Sequence, residues 1–326
     1  MDWLGCQTDY LLMLQNFRHL TNNVFDNFFI FITLFGEVFI PIAVICFLYW
    51  CVNKKTGFYI LSGYLYCFML NTFIKISACI YRPWIIEPEL EPVAQAIPAA
   101  TGYSFPSGHT AGVTSVFGGI ALSFWKNKFL RYLCFIIILL VMFSRNYLGV
   151  HTPQDITAAL IISFVILILN KKLLKWESNG RNRDLIIAGL TVPCCILLVL
   201  YSNCKAYPMD YVCGKLLFDP TPVKTEIFSR MGFILGAFSG RIIEKRYINF
   251  SAGIGSWHEK IVYYIIGMLL LSALAYLSKI FFVSIFDIKY GLFLSYLIIS
   301  MFITCIYPLL MLSCRKKLND FMSPKR

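Results

Sequence analysis

Long apolar runs separated by short polar clusters make up most of the chain. A helix that crosses a membrane needs about 20 consecutive, mostly apolar residues. About nine stretches meet that requirement, near 27–51, 57–81, 107–125, 130–147, 153–170, 185–202, 224–243, 261–284 and 289–313. The seventh is the weakest because Arg230 lies inside it, and the fourth and fifth are short and closely spaced. Ahead of the first run, Leu11, Leu14, Phe17 and Leu20 recur at helical spacing, which predicts a short helix lying in the membrane interface. The first 26 residues hold neither a basic leader nor a small-residue cleavage site, so no cleaved signal peptide is expected. The fold class predicted is all-α, a polytopic membrane helix bundle.

Composition agrees. The 326 residues are 58% hydrophobic and 14% charged, with a mean hydropathy of +0.69. Soluble domains run at about 45–50% apolar and about 25% charged. The net charge of +12 would, in a soluble protein, point to nucleic acid. Here the basic residues sit in short loops between apolar runs, with no interleaved aromatic-basic patch, so no nucleic-acid partner is expected and the charge reports topology instead. Lys54 and Lys55, then Lys126, Lys128 and Arg131, then Lys171 to Arg183, then Arg241 to Lys260, and the tail from Arg315 fall on one side and hold most of the 29 Lys and Arg residues. Cytoplasmic loops carry that excess. The amino terminus is therefore expected outside, the carboxyl terminus in the cytoplasm, and the number of spans odd.

The simplest organisation is an N-terminal interfacial segment (1–26), a core helical bundle (27–202) and additional transmembrane helices of unassigned role (203–326). In the last region Gly232, Gly236 and Gly240 form a doubled small-xxx-small pattern, which lets helices approach closely in lipid. Tight packing within the bundle is the plainer reading of that pattern, and a homodimer seam is the alternative. Most of the 12 cysteines lie in apolar spans, where they act as small hydrophobes. Cys204 and Cys213 share one polar loop, where a disulfide and two free thiols are both open. With no C-x-x-C pair and no H-E-x-x-H, no protein-bound metal is expected.

Three polar blocks stand at the mouths of these apolar runs: Lys75 with Arg82 and Pro83, then Pro106-Ser107-Gly108-His109, then Ser144-Arg145 followed by His151 and Asp155. Seven residues are two helical turns, so Lys75 and Arg82 are expected on one face near the outer end of the second run. Pro83 restricts Arg82 and ends the helix there. An ionisable residue within a span marks a functional candidate, and a point charge beside a planar fork suits phosphate oxygens. Ser107 is placed to cap a helix start, Gly108 lets the backbone approach a ligand, and His109 falls in the first turn beside the N–H groups that bind anions there. Thr152 as a cap and Pro153 at the first helical position need no further explanation than an ordinary helix start. That start leaves His151, four residues before Asp155, unaccounted for. A carboxylate at that spacing can hold the imidazole by one nitrogen and leave the other free to attack.

Two histidines can thus divide the labour of phosphate-ester cleavage. One attacks phosphorus while neutral and oriented by a carboxylate; the other, protonated, supplies the leaving oxygen. Lys75, Arg82 and Arg145 neutralise the equatorial oxygens, the main demand of phosphoryl transfer. No metal or other cofactor is needed for this chemistry.

With these residues in view, the pattern resembles the type-2 phosphatidic acid phosphatase family, which shares its core with vanadium haloperoxidases. The family's signature, K-x6-R-P, P-S-G-H and S-R-x5-H-x3-D, is matched at every position from Lys75 to Pro83, Pro106 to His109 and Ser144 to Asp155. The likeness covers about residues 27–170, roughly half of the chain. It implies a six-helix phosphatase core and a metal-independent, two-step hydrolysis through a phosphohistidine. By that resemblance His151 is the nucleophile, Asp155 orients it and His109 is the general acid, while Lys75, Arg82, Ser107, Gly108 and Arg145 bind the phosphate. The layout of spans is similar to that of glucose-6-phosphatase and the sphingosine-phosphate phosphatases, a likeness of architecture that does not set the substrate. Residues 171–326 match no pattern that names a function.

In the 84–105 loop, Glu87, Glu89 and Glu91 read best as a solvated face, although carboxylates near a cationic cradle can also select headgroups. A site opening at the outer leaflet favours a lipid phosphate as substrate: phosphatidate, lysophosphatidate, a sphingoid phosphate or a polyprenyl diphosphate, with a soluble sugar phosphate next. The expected activity is an integral-membrane phosphoric monoester hydrolase facing the non-cytoplasmic side. A phosphoryl or headgroup transferase using the same histidine, and a non-catalytic transporter-like protein on the same fold, are the alternatives.

Overall fold

The computed structural model describes residues 3–212, 215–253 and 255–322. The described residues are predominantly helical. Its first half comprises α1 (Trp3–Leu20), α2 (Asp26–Thr33), α3 (Phe39–Phe47), α4 (Lys54–Ala78), α5 (Pro83–Ile86), α6 (Gly108–Val113), α7 (Gly119–Ser123), α8 (Lys128–Tyr147) and α9 (Pro153–Ser178). The second half adds α10 (Arg183–Cys204), α11 (Thr221–Ile243), α12 (Trp257–Ile285), α13 (Ile288–Met301) and α14 (Tyr307–Met322). The β structure described is a two-residue antiparallel ladder in the loop after α10, β1 (Tyr211–Val212) with β2 (Lys215–Leu216).

Among the described residues, six helices are long and apolar enough to cross a membrane: Lys54–Ile86, Lys128–Tyr147, Pro153–Ser178, Arg183–Cys204, Trp257–Ile285 and Ile288–Arg315. Asp26–Gly36 and Phe39–Val52 meet the same test only as a pair, bent by 49° at the break between them. Six of the nine expected runs therefore qualify as single helices, and a seventh, 27–51, as this bent pair. The other two are helical but differ in kind. Residues 107–125 form α6 and α7 joined by a single π turn, Thr114–Gly118, a continuous helical run shorter than those six. The 224–243 run lies in α11, where Lys224, Glu226, Arg230 and Arg241 interrupt the apolar length. The exterior of the long helices is apolar, as along α12, where Ile261, Val262, Ile265, Leu269, Leu277 and Phe281 are exposed. Polar side chains are instead buried, as a bundle dissolved in lipid requires.

The chain divides into two compact units. The first contains Met1–Val44, Tyr59–Lys172 and Ser202–Val223. Its centre is the run from α6 to α7, built of small residues so that neighbours can approach. A Cβ added at Gly112 would lie 2.8 Å from the Gly36 carbonyl, and one at Gly119 would lie 2.9 Å from Ile60 Cγ1. In α1, Leu11 and Leu14 are buried in a cluster with Leu90, while Met13, Phe17 and Leu20 are exposed. The Arg18 guanidinium and the Gln15 amide of α1 donate to the Glu91 and Glu89 carbonyls at 2.7 and 3.0 Å, tying down the loop before α6.

The second unit contains Ile45–Phe58, Leu173–Tyr201 and Lys224–Arg326. Here the glycine stripe of α11 faces α13 and its continuation in the same chain. Cβ atoms at Gly232, Gly236 and Gly240 would run into Phe293, Leu297 with Ser300, and Thr304 respectively. The fully buried Glu244 is held by Lys54 and Arg241, each at 2.8 Å, and by the Phe250 backbone N–H. Cys204 is exposed, and Cys213 lies outside the described residues.

Candidate active site

All three polar blocks fall in the first unit and converge there. Lys75 stands in the last turn of α4 and donates to the Tyr103 carbonyl at 2.7 Å. Arg82 does not continue that helix, contrary to the expectation of one unbroken helical face. The helix ends at Ala78, Cys79 takes a left-handed conformation (φ 50°), and Arg82 is extended as the cap before Pro83. The cause is local: proline disfavours helical geometry in the residue before it. From that extended position the Arg82 guanidinium reaches back and donates to the carbonyls of Thr101, Gly102 and Val150 at 2.7, 3.0 and 2.9 Å.

In the second block, the Ser107 hydroxyl caps α6 by accepting from Thr110 N–H at 3.4 Å, as its position predicts. The loop before it is fastened by Asn71, whose amide donates to the carbonyls of Pro106 and Ser107 at 3.4 Å each. Ser107 N–H in turn donates to the Asp155 carbonyl at 3.1 Å, which joins the second block to the third. A Cβ at Gly108 would meet nothing, so the backbone there faces open space.

Arg145 stands in the last turn of α8 and is completely buried. Its Nη1 donates to Thr33 Oγ1 at 2.7 Å, but Nε and Nη2 are buried without a hydrogen-bond partner among the described residues. Leaving such donors unmet costs about 1–3 kcal/mol or more each, which an anion beside them would recover. The turn that follows is stitched tightly. Gly149 is left-handed (φ 72°), Val150 N–H returns to the Arg145 carbonyl at 3.1 Å, and the Asn146 amide donates to the His151 carbonyl at 2.7 Å. A side chain at Gly149 would also press on the Pro92 backbone at 3.2 Å.

The histidine at the end of this turn is buried. Its Nδ1 lies 3.2 Å from Asp155 Oδ2, and that same oxygen accepts from Ser104 Oγ at 2.5 Å and from Thr152 N–H at 2.9 Å. Arg82 Nη1 stands nearer the other nitrogen, 2.9 Å from Nε2 and 3.5 Å from Nδ1. A carboxylate can only accept and a guanidinium can only donate. The tautomer that satisfies both carries its proton on Nδ1 and its lone pair on Nε2. Burial first, then the charges of Arg82, Arg145 and Lys75, hold the His151 imidazole well below its usual titration range. It is therefore neutral at physiological pH. His109, in the first turn of α6, sits within electrostatic reach of Arg145 and Arg82, and its Nε2 lies 3.8 Å from Glu37 Oε1.

Lys75, Arg82, Ser107, Gly108, His109, Arg145, His151 and Asp155 thus share one site. The sequence reading passed over the residues that hold them: Asn71, Ser104, Asn146 and Thr33, and the carboxylate of Glu37. The first four carry no signal apart from their fold partners. Glu37 did carry one, as a lone charge in an apolar run. The acidic loop residues Glu89 and Glu91 are exposed, consistent with a solvated face.

Comparison with known proteins follows this geometry. Residues 56–178 match the family model described as PAP2 superfamily, and residues 228–319 match that of PAP2 superfamily phosphatase, transmembrane extension. The undecaprenyl-diphosphatase of Sulfolobus acidocaldarius is 26% identical over 172 residues, 52% of this chain and 78% of that protein. The undecaprenyl-diphosphatase BcrC of Bacillus subtilis is 29% identical over 149 residues, covering 44% and 72%. The lipid A 4'-phosphatase of Porphyromonas gingivalis is 24% identical over 172 residues, covering 48% and 72%. No solved structure matches the chain significantly.

Proposed function

The chain belongs to the PAP2 superfamily and is a multi-pass membrane phosphatase, and from that premise we propose that it removes the terminal phosphoryl group of a lipid phosphate through a phosphohistidine on His151. The observation that carries the mechanism is the fixed tautomer. Asp155 holds Nδ1–H, so the Nε2 lone pair faces the guanidinium of Arg82. Phosphate oxygens seated on Arg82, Arg145, Lys75 and the backbone at Ser107 and Gly108 bring phosphorus to that lone pair. Nε2 forms a bond to phosphorus as the bond to the leaving oxygen breaks, and His109 gives that oxygen its proton. Water then attacks the phosphohistidine while His109 takes back a proton, and the P–N electron pair returns to Nε2. The products are the lipid alcohol, or a lipid monophosphate from a diphosphate, and inorganic phosphate.

The relatives' names support a lipid substrate: two act on a polyprenyl diphosphate and one on lipid A. All of these present a terminal phosphoryl group on an apolar anchor, which suits a site set in a helical membrane unit. The alternation of basic loops supports an active site on the non-cytoplasmic side, with the amino terminus outside.

The test is phosphate release by the purified protein, with EDTA present, from undecaprenyl diphosphate, phosphatidate, a sphingoid phosphate and glucose 6-phosphate. Release from lipid substrates that disappears in His151→Ala, with phosphate trapped on the wild-type histidine after an acid-free quench, is the expected result. Full activity in His151→Ala, or dependence on added metal, would overturn the mechanism. For orientation, a cysteine introduced at Glu91 should react with an impermeant reagent added outside; reaction only after permeabilisation reverses the topology.

A further inference from the structure

Asp155 is matched by a second carboxylate, set against the other histidine. Glu37 is the only charged residue between Asp26 and Lys54. An ionisable side chain within such an apolar run is expensive and marks a functional position. It stands at the break where the helix pair bends by 49°, between Gly36 and α3. That break is pressed onto the first turn of α6. A Cβ at Gly36 would lie 2.7 Å from the His109 carbonyl oxygen and 2.9 Å from His109 Cβ, so only glycine lets the two backbones meet. The next residue is thereby delivered to the imidazole, with Glu37 Oε1 3.8 Å from His109 Nε2. That nitrogen is buried and makes no hydrogen bond among the described residues. The separation exceeds a hydrogen bond, yet an opposite charge within about 4–6 Å still favours the charged form. The Glu37 side chain, 37% exposed, has room to close the gap.

The need for such a partner follows from burial first and then from the other charges, which together hold the His109 imidazole down to about 3 despite Glu37. An acid must hold its proton before catalysis, but His109 faces Arg145 from α8, Arg82 from the segment before α5 and His151 from the turn after α8. It also occupies a helix start, whose partial positive charge opposes an imidazolium. Of the groups that reach it, Glu37 alone is negative.

We propose that Glu37 is the positioning residue of the general acid: it holds the His109 imidazolium by Nε2, as Asp155 holds His151 by Nδ1, and leaves the other ring nitrogen to the leaving oxygen. This rests on the phosphatase reading given above. Glu37 stays ionised throughout; the proton that His109 gives to the leaving group is replaced from the attacking water. The competing role is simple charge balance for Arg145, which also lies within reach of Glu37. Charge balance would act on phosphate binding, raising KM for alkyl and p-nitrophenyl phosphates alike.

The experiment uses the full chain in detergent with isotope-labelled histidine. The protein has four histidines, and His109 is assigned by its loss in His109→Asn. In Glu37→Gln the His109 titration midpoint should fall by about one pH unit or more. The kcat for a phosphate ester of an alkyl alcohol should fall about tenfold or more, within the 10²–10⁴ that acid–base catalysis contributes. KM should be unchanged, and p-nitrophenyl phosphate, whose leaving group needs no proton, should be spared. Glu37→Asp should recover part of the loss; should Glu37→Gln fail to fold, the leaving-group dependence of the Asp variant is read instead. An unchanged His109 titration, or a raised KM with kcat retained, overturns the proposal. Failure of the phosphatase reading shows differently, as a wild-type protein that releases no phosphate, and the titration reads the Glu37–His109 pair independently of turnover.

Discussion

Nη1 of Arg82 stands 2.9 Å from Nε2 of His151, while Nη2 and Nε of the same guanidinium are pinned to the Thr101 and Gly102 carbonyls. One planar group therefore fixes the 101–102 loop and faces Nε2 of His151, the nitrogen proposed to attack. Lysine has neither the fork nor the reach to do both. Arg82→Lys is expected to lower kcat/KM by about 10²-fold, the scale of losing one preorganised donor. Steady-state kinetics on a lipid phosphate checks it, and activity within a few-fold of wild type would refute the arrangement.

Ser104 donates to the same Asp155 oxygen that holds His151. Removing one donor from a buried carboxylate costs about 1–3 kcal/mol, so Ser104→Ala should reduce kcat roughly tenfold with KM little changed. A change confined to KM would mean that Ser104 touches substrate rather than orienting Asp155.

The buried, neutral His151 has a consequence for stability as well as for catalysis. Its imidazole is held well below the usual range in the folded protein, by burial first and then by Arg82, Arg145 and Lys75, whereas the unfolded chain titrates near about 6.5. Below that pH the unfolded state binds more protons than the folded one, so stability falls as pH falls, by up to about 1.4 kcal/mol per pH unit for this group. Above it the contribution is complete. Thermal unfolding in detergent at pH 7.5 and 5.0 should show a larger loss for wild type than for His151→Gln, and equal losses would argue against a depressed histidine.

Gly36→Ala places a methyl group 2.7 Å from the His109 carbonyl oxygen and 2.9 Å from its Cβ. Backbone cannot yield as a flexible side chain can, and overpacking costs about 1–3 kcal/mol. Both a lower unfolding temperature and a fall in kcat are expected, because the relief of the clash moves His109, the proposed acid. A stabilised, fully active variant would show that the contact is looser than described.

Much of this site is legible in one dimension because its candidate side chains sit in short motifs at helix ends. Ser107 as a cap, Pro153 at the first turn of α9 and His151 just outside it follow from rules that act over a few residues. Helix 54–78 tests the limit of such rules. Spacing alone put Lys75 and Arg82 on one helical face, yet the left-handed Cys79 and the proline after Arg82 end the helix first. Both cations still act on His151, Arg82 from an extended segment that periodicity does not describe.

By itself the sequence determined most of the apolar helices, the class of phosphatase and the three polar blocks as site candidates, since each depends on composition or on neighbours a few positions apart. The tertiary structure decided what holds them. Thr33 meets Arg145, Ser104 meets Asp155, and Glu37 approaches His109 only because helices far apart in the chain pack side by side. Close approach of Gly36 to the backbone at His109 and Gly112 brings Glu37 to His109, and no local propensity records it. The glycine stripe of α11 makes the same point. Its spacing announces a close contact, and only packing shows that α13 of the same chain fills it.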